Sequence, residues 1–175
     1  ELSNLARSQG LIFVSTPFDL ASASFLSSIV DSYKIASGDN AFYPLMEKVA
    51  LTGKPMIVST GISNAEQVRK TVDFIKQTWT DNNIIGQLAI LHCVSSYPAP
   101  VDQLNLRVIK TLEDYEVPVG YSDHCPDAAA ALGAVDFGAC LLDEHFTTDK
   151  GLSGPCHKPL ATPVELQHMV AALRP

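Results

Sequence analysis

The chain has 175 residues, 46% of them hydrophobic, with no low-complexity run, so it carries one domain's worth of globular core. A formal net charge of −7 speaks against non-specific binding to nucleic acid or to an anionic membrane, and any anionic ligand must be held by a local cluster. No stretch approaches the roughly 20 apolar residues of a membrane span, the start lacks a signal-peptide layout, and a cytoplasmic protein is expected.

The opening ELSNLARSQG reads as the last turns of a helix stopped by Gly10, and a fold that begins on a helix tail is expected to have further units upstream. Six runs rich in Val, Ile and Leu follow: LIFVST from Leu11, SYKIASG from Ser32, PMIVSTG from Pro55, LAILHCVS from Leu88, VPVGYSDH from Val117 and ACLLDEHF from Ala139. Their apolarity is nearly continuous, the pattern of strands buried on both faces of a parallel sheet. Amphipathic stretches separate them. NAEQVRKTVDFIKQTW sets Val68, Val72 and Ile75 on one stripe, with Asn64 or Ser63 placed to cap its start, and PVELQHMVAALR forms a final helix. The unit is strand, loop, helix, so the fold class is α/β.

An open doubly wound sheet gathers ligand residues at one point, whereas a barrel takes them from the C-terminal ends of many strands. Here nearly every run ends in polar chemistry, from Ser15 and Thr16 through Lys34 and Ser37, Ser59 and Thr60, His92, Ser95 and Tyr97, Ser122 to His124, and Asp143 with His145. That ring favours a (β/α)8 TIM barrel. A full barrel needs about 250 residues and eight strands, so the chain is expected to hold a truncated part of about six βα units, strands 3 to 8. Its open strand edges should make it prone to aggregation or dependent on another chain.

His124 and His145 close consecutive strands, and two imidazoles with open positions left over suit a catalytic divalent metal. His92, the rival ligand, sits earlier in its run and is expected to bond inside. Lys34 lies between Tyr33 and Ile35 in a buried strand, where an ammonium needs an anion, and salt bridge, Schiff base and anion clamp all answer that need. Hydroxyls at Thr16, Ser37, Ser59 and Ser122 favour the clamp. Alternation places Asp143 on the face of His145, able to ligate or to hold an imidazole or a sugar hydroxyl, while Asp123 points away and reads as structural. The four cysteines, Cys93, Cys125, Cys140 and Cys156, show no CxxC spacing and read as reduced.

These stretches, STPFD, YKIASGD with YPL, GKPMIVSTG, LHCVSSYPAP with NLRVI, VGYSDH, EHFTTDK and GPCHK, run along essentially the whole chain and resemble the sialic acid synthase family of phosphoenolpyruvate-condensing TIM barrels. The resemblance implies a sialic acid synthase-like barrel domain over residues 1–175, without the amino-terminal βα units and the carboxy-terminal antifreeze-like domain of the family. It implies condensation of phosphoenolpyruvate with N-acetylmannosamine or a related N-acetylated amino sugar, giving a nonulosonic acid and phosphate. A divalent metal, manganese first with magnesium or cobalt as alternatives, falls to His124 and His145, and Lys34, Asp143 and His124 are the catalytic candidates. Substrate-binding positions match Thr16, Lys34, Ser37, Ser59, Ser95, Tyr97, Ser122 and Cys156, and the full-length protein is expected to be a homodimer.

The chain departs from the family pattern on the sugar side. Asp143 replaces a glutamate, Glu144 a basic residue and Cys156 the aspartate of the GPD loop, and an asparagine common near Ser95 is absent. A legionaminic or pseudaminic acid synthase, another metal-dependent barrel aldolase, and a non-catalytic anion-binding barrel are the alternatives. The chain alone is expected to bind phosphoenolpyruvate weakly without turnover, because the family's remaining catalytic carboxylate lies upstream.

Overall fold

The structure, a computed structural model, describes residues 1–126, 129–154, 157 and 160–174. The chain divides into two compact units, Glu1–Ala89 and Ile90–Pro175.

The first unit begins with α1 (Leu2–Ser8), which ends ahead of Gly10 at φ 73°, a left-handed conformation that glycine adopts without strain. Then come β1 (Val14–Ser15), α2 (Leu20–Leu26), β2 (Ser32–Ile35), α3 (Tyr43–Ala50), β3 (Met56–Ser59) and α4 (Ala65–Asp81). The three strands pair in parallel, Val14 opposite Ser32 and Tyr33 opposite Met56. Tyr33, Ile35, Met56 and Val58 face the core and are at most 1% exposed, against Leu45, Met46 and Val49 of α3 and Val72 and Ile75 of α4, equally buried. Asn64 caps α4 in a reciprocal box with Gln67, so the capping role falls to Asn64 and not to Ser63. Trp79 donates its indole N–H to Ala50 O (3.0 Å), and a Cβ at Gly86 would overlap its ring.

β1 is shorter than its sequence run. Only Val14 and Ser15 join the ladder, and Leu11 and Ile12 stay 62% and 74% exposed, because β1 pairs with β2 alone and nothing else among the described residues covers them.

β4 (Leu88–Cys93) carries the chain into the second unit, which continues with α5 (Val108–Leu112), β5 (Val119–Asp123), α6 (Ala129–Asp136), β6 (Leu142–Glu144) and α7 (Pro163–Leu173). β4, β5 and β6 are parallel in chain order. β6 is likewise a short core of its run, three residues long. Gly120 lies in β5 where a Cβ would stand 2.5 Å from Leu141 O and from Leu91 Cδ2, so the close fit between neighbouring strands demands glycine. Thr162 and Glu165 form a capping box at the start of α7. Among the described residues, no helix is long and apolar enough to cross a membrane, and Cys93, Cys125 and Cys140 are free thiols.

Candidate functional site

In the first unit, parallel register decides which side chains share a face. Lys34 is opposite Ile57, and Ser59 follows Ile57 by two residues, so Lys34 and Ser59 project from the same side, away from buried Tyr33 and Ile35. Val14 is opposite Ser32 on that side, and Thr16 leaves β1 two residues later. Lys34 is half-buried, not fully buried as its strand context implied, because Ile57 beside it is also only half-covered. Burial therefore does not by itself force an anion onto the ammonium. Ser37, in the short 3-10 turn after β2, accepts the Gly61 N–H at 3.2 Å. Ser59 is 2% exposed, and its hydroxyl is a buried oxygen with no hydrogen-bond partner in the structure. An unmet buried hydroxyl costs about 1–3 kcal/mol, which an anionic oxygen placed there would recover.

In the second unit, Cys93 is opposite Ser122, which is opposite Asp143, whereas His92 is opposite Tyr121 on the other face. His92 is 7% exposed, bonds Leu104 O at 2.7 Å, and has its protonation suppressed by burial, so it takes no part in the site. Its parity, one residue off, is the reason.

His124 and His145 extend the Ser122 and Asp143 face, with ring centroids 5.1 Å apart. The Nδ1 of His124 lies 2.6 Å from Val94 O. A carbonyl can only accept, so Nδ1 carries the proton and Nε2 presents its lone pair. Tyr97 donates its phenol to that Nε2 at 2.7 Å, its ring packed at 3.9 Å from His124 and edge-on at 5.3 Å from His145.

The donor set fits a divalent cation provided that the Tyr97 phenol gives way, since its hydrogen bond occupies the single Nε2 lone pair that a metal would need. Metal-bound imidazoles usually fix the other ring nitrogen on a carbonyl or carboxylate, as Val94 O does for His124, and two imidazoles each about 2.1 Å from one ion have centroids about 5 Å apart. Among the described residues, no group of three or more His, Cys, Asp or Glu could hold a metal ion, so the candidate rests on this pair of histidines.

Ser122 donates its hydroxyl to Asp143 Oδ2 at 2.6 Å, which ties the candidate carboxylate to the neighbouring strand. Ser95 is exposed, with its hydroxyl 3.9 Å from Cys93 Sγ. Cys156 lies outside the described residues.

Beside the two histidines, at the ends of the same strands, lies a pair that the sequence reading did not assign to the site. Asp123 is opposite Glu144, and together with Tyr97, His124, His145 and Leu160 they line a tight recess. Asp123 accepts from Tyr121 OH (3.1 Å) and Cys125 N–H (2.8 Å), but its Oδ2 is buried and unpartnered. Burial raises the pKa of Asp123, and burial together with the Asp123 charge pushes Glu144 up to about 7. The available signal was positional, since each acid directly precedes a candidate histidine on adjacent strands.

The sequence profile of the NeuB family matches residues 1–175. An uncharacterized protein of Methanocaldococcus jannaschii is 44% identical over 99% of this chain and 51% of its own length. The N,N'-diacetyllegionaminic acid synthase of Legionella pneumophila is 40% identical over 99% of this chain and 49% of its own. The crystal structure of N-acetylneuraminic acid (sialic acid) synthetase from Leptospira borgpetersenii, in complex with citrate, superposes with a TM-score of 0.90 at 35% identity, covering 97% of this chain and 58% of that one. The chain spans about half the length of the curated relatives it matches.

Proposed function

Because the chain belongs to the NeuB family and carries six βα units of a (β/α)8 barrel, we propose that it is the phosphoenolpyruvate- and metal-handling part of a nonulosonic acid synthase. The reaction joins the methylene carbon of phosphoenolpyruvate to the aldehyde carbon of an open-chain N-acetylated amino sugar. Water adds at the enol carbon, and inorganic phosphate leaves by cleavage of its C–O bond.

The observation that carries this reading is the tautomer of His124. With Nδ1–H held by Val94 O, the Nε2 lone pair is the one left for an ion, which would displace the Tyr97 phenol from it. A divalent ion, manganese by resemblance with magnesium or cobalt as alternatives, would be held by His124 and His145 and would polarise the sugar aldehyde. Asp143, steadied by the Ser122 hydroxyl, stands on the His145 face to hold a sugar hydroxyl or take a proton. The first unit supplies the anion contacts: Lys34 as the cation, Thr16 and Ser37 as neighbouring hydroxyls, and Ser59 as a buried donor in want of an acceptor. Tyr97 and Ser95 are further substrate contacts of the second unit, and cytoplasmic location and homodimerisation of the longer protein complete the proposal.

N-acetylmannosamine and a diacetamido sugar are the two acceptor classes, and the name of the Legionella relative favours the second. The test is calorimetric titration of phosphoenolpyruvate with manganese present, then of each amino sugar into that complex. Saturable phosphoenolpyruvate binding, weakened in Ser59→Ala, with the diacetamido sugar bound more tightly, is expected. Absence of phosphoenolpyruvate binding would overturn the proposal.

A further inference from the structure

We infer that Asn40 is a positioning residue for the anion site, holding the loop after β3 so that the Ser59 hydroxyl is presented to a phosphate or carboxylate ligand. The inference rests on the reading of Ser59 and Lys34 as an anion clamp and goes beyond it by naming what holds the clamp in shape.

Asn40 follows the 3-10 turn Ser37–Asp39 and is 8% exposed. Its side-chain amide has two N–H donors, and both are spent on one loop, on Ser59 O and Gly61 O at 3.2 Å each. Its backbone carbonyl accepts the Thr71 hydroxyl from α4 at 2.8 Å. Gly61 N–H in turn donates to Ser37 Oγ at 3.2 Å. Four hydrogen bonds thus tie the loop after β2 to the loop and helix after β3, and Asn40 makes three of them.

Two features show that this clamp holds something under constraint. Ile62, next in the chain, is β-branched yet sits at φ 63° with its side chain 79% exposed. A β-branched residue in that region is strained and persists only where its surroundings over-determine the backbone. Ser59, at the other end of the gripped segment, keeps a buried hydroxyl without a partner. A loop free to relax could turn that hydroxyl toward one of its own carbonyls. The grip of Asn40 fixes the directions of the Ser59 and Gly61 carbonyls, so that the loop cannot turn either of them to the Ser59 O–H, which is left for an incoming acceptor.

The experiment uses two identical substitutions two turns apart on α4. Thr71 and Thr78 are both buried and both donate to a carbonyl, but Thr78 bonds Phe74 O within its own helix and Thr71 bonds Asn40. Phosphoenolpyruvate and, separately, manganese are titrated into wild type, Asn40→Ala, Thr71→Val, Thr78→Val and Ser59→Ala, with thermal midpoints recorded for each. Asn40→Ala should lose on the order of tenfold in phosphoenolpyruvate affinity and Thr71→Val about threefold, since small misplacements of positioned groups are amplified in ligand affinity. Thr78→Val should lose stability without losing affinity, and manganese affinity should be constant throughout. If Asn40→Ala does not fold, the contrast between Thr71→Val and Thr78→Val carries the test. Wild-type phosphoenolpyruvate affinity in a folded Asn40→Ala, or equal affinity in Thr71→Val and Thr78→Val where Asn40→Ala does not fold, with Ser59→Ala weakened, would overturn the role of Asn40 alone. An unweakened Ser59→Ala would overturn the anion-clamp reading and the inference with it.

Discussion

Glycine-to-alanine exchange at two positions of the second unit should change stability in opposite directions. At Gly120 the new Cβ would meet Leu141 O and Leu91 Cδ2 at 2.5 Å and Leu141 Cβ at 2.7 Å, against an ordinary contact of about 3.5–4.0 Å. One of those atoms is backbone, and it accepts the Tyr121 N–H of the β5–β6 ladder at 2.8 Å, so a side-chain rotation cannot relieve the clash. Overpacking of this kind costs about 1–3 kcal/mol, and the rigid strand contact puts Gly120→Ala in the upper half of that range. For a chain of this size that lowers the thermal midpoint by roughly 4–12 °C. At Gly133, inside α6, the nearest atom is Leu106 Cδ1 at 3.2 Å, the free end of a flexible side chain. Alanine there gains about 0.8–1 kcal/mol of helix propensity, less a small repacking cost, and the midpoint should rise by roughly 1–3 °C. Differential scanning calorimetry of both variants decides it. A neutral or stabilised Gly120→Ala would refute the strand geometry that sets Ser122 beside Asp143, and a lowered midpoint in Gly133→Ala would refute the free movement of Leu106.

Lys34→Ala should weaken phosphoenolpyruvate binding by about 10- to 100-fold, the loss of one charge-assisted hydrogen bond. Lys54→Ala, which removes the bond from Nζ to Val30 O and a charge near Asp31, should lower stability and leave affinity unchanged in the same calorimetric titration. Glu165 has its pKa held down to about 2 by the Lys150 ammonium and the Thr162 cap, from an ordinary value of 4.5. A depressed carboxyl pKa stabilises the fold above the unfolded value, so the midpoint difference between wild type and Glu165→Gln should be full at neutral pH and shrink as pH falls from about 4.5 towards about 2. A difference independent of pH would show that the capping box works without the charge. His92 is held neutral by burial, so stability should fall as pH drops below its ordinary value of 6.5, and His92→Gln should blunt that fall in acid-unfolding curves.

The strands were legible because continuous apolar runs bounded by polar ends have few other uses, yet the runs overstate the ladders. LIFVST yields only Val14–Ser15, since a strand paired on one side buries less than its composition allows. The separation of His92 from His124 and His145 was readable from parity, because side chains alternate and one residue changes the face. The half-burial of Lys34 was not readable, since it depends on how far Ile57 on the neighbouring strand is covered. Asn40 left no sequence trace, because its amide reaches residues 19 and 21 positions away. The Asp123 and Glu144 pair had a positional signal, each acid preceding a candidate histidine, but its closeness depends on the register that sets the two side by side.

The central claim, a metal position built on His124 and His145, is tested most directly by manganese titration followed by electron paramagnetic resonance, in which the signal of free ion is lost on binding. Wild type and His92→Ala should each take up the ion with equal affinity, and His124→Ala and His145→Ala should leave it free in solution. Undiminished binding in His124→Ala and His145→Ala would contradict the assignment.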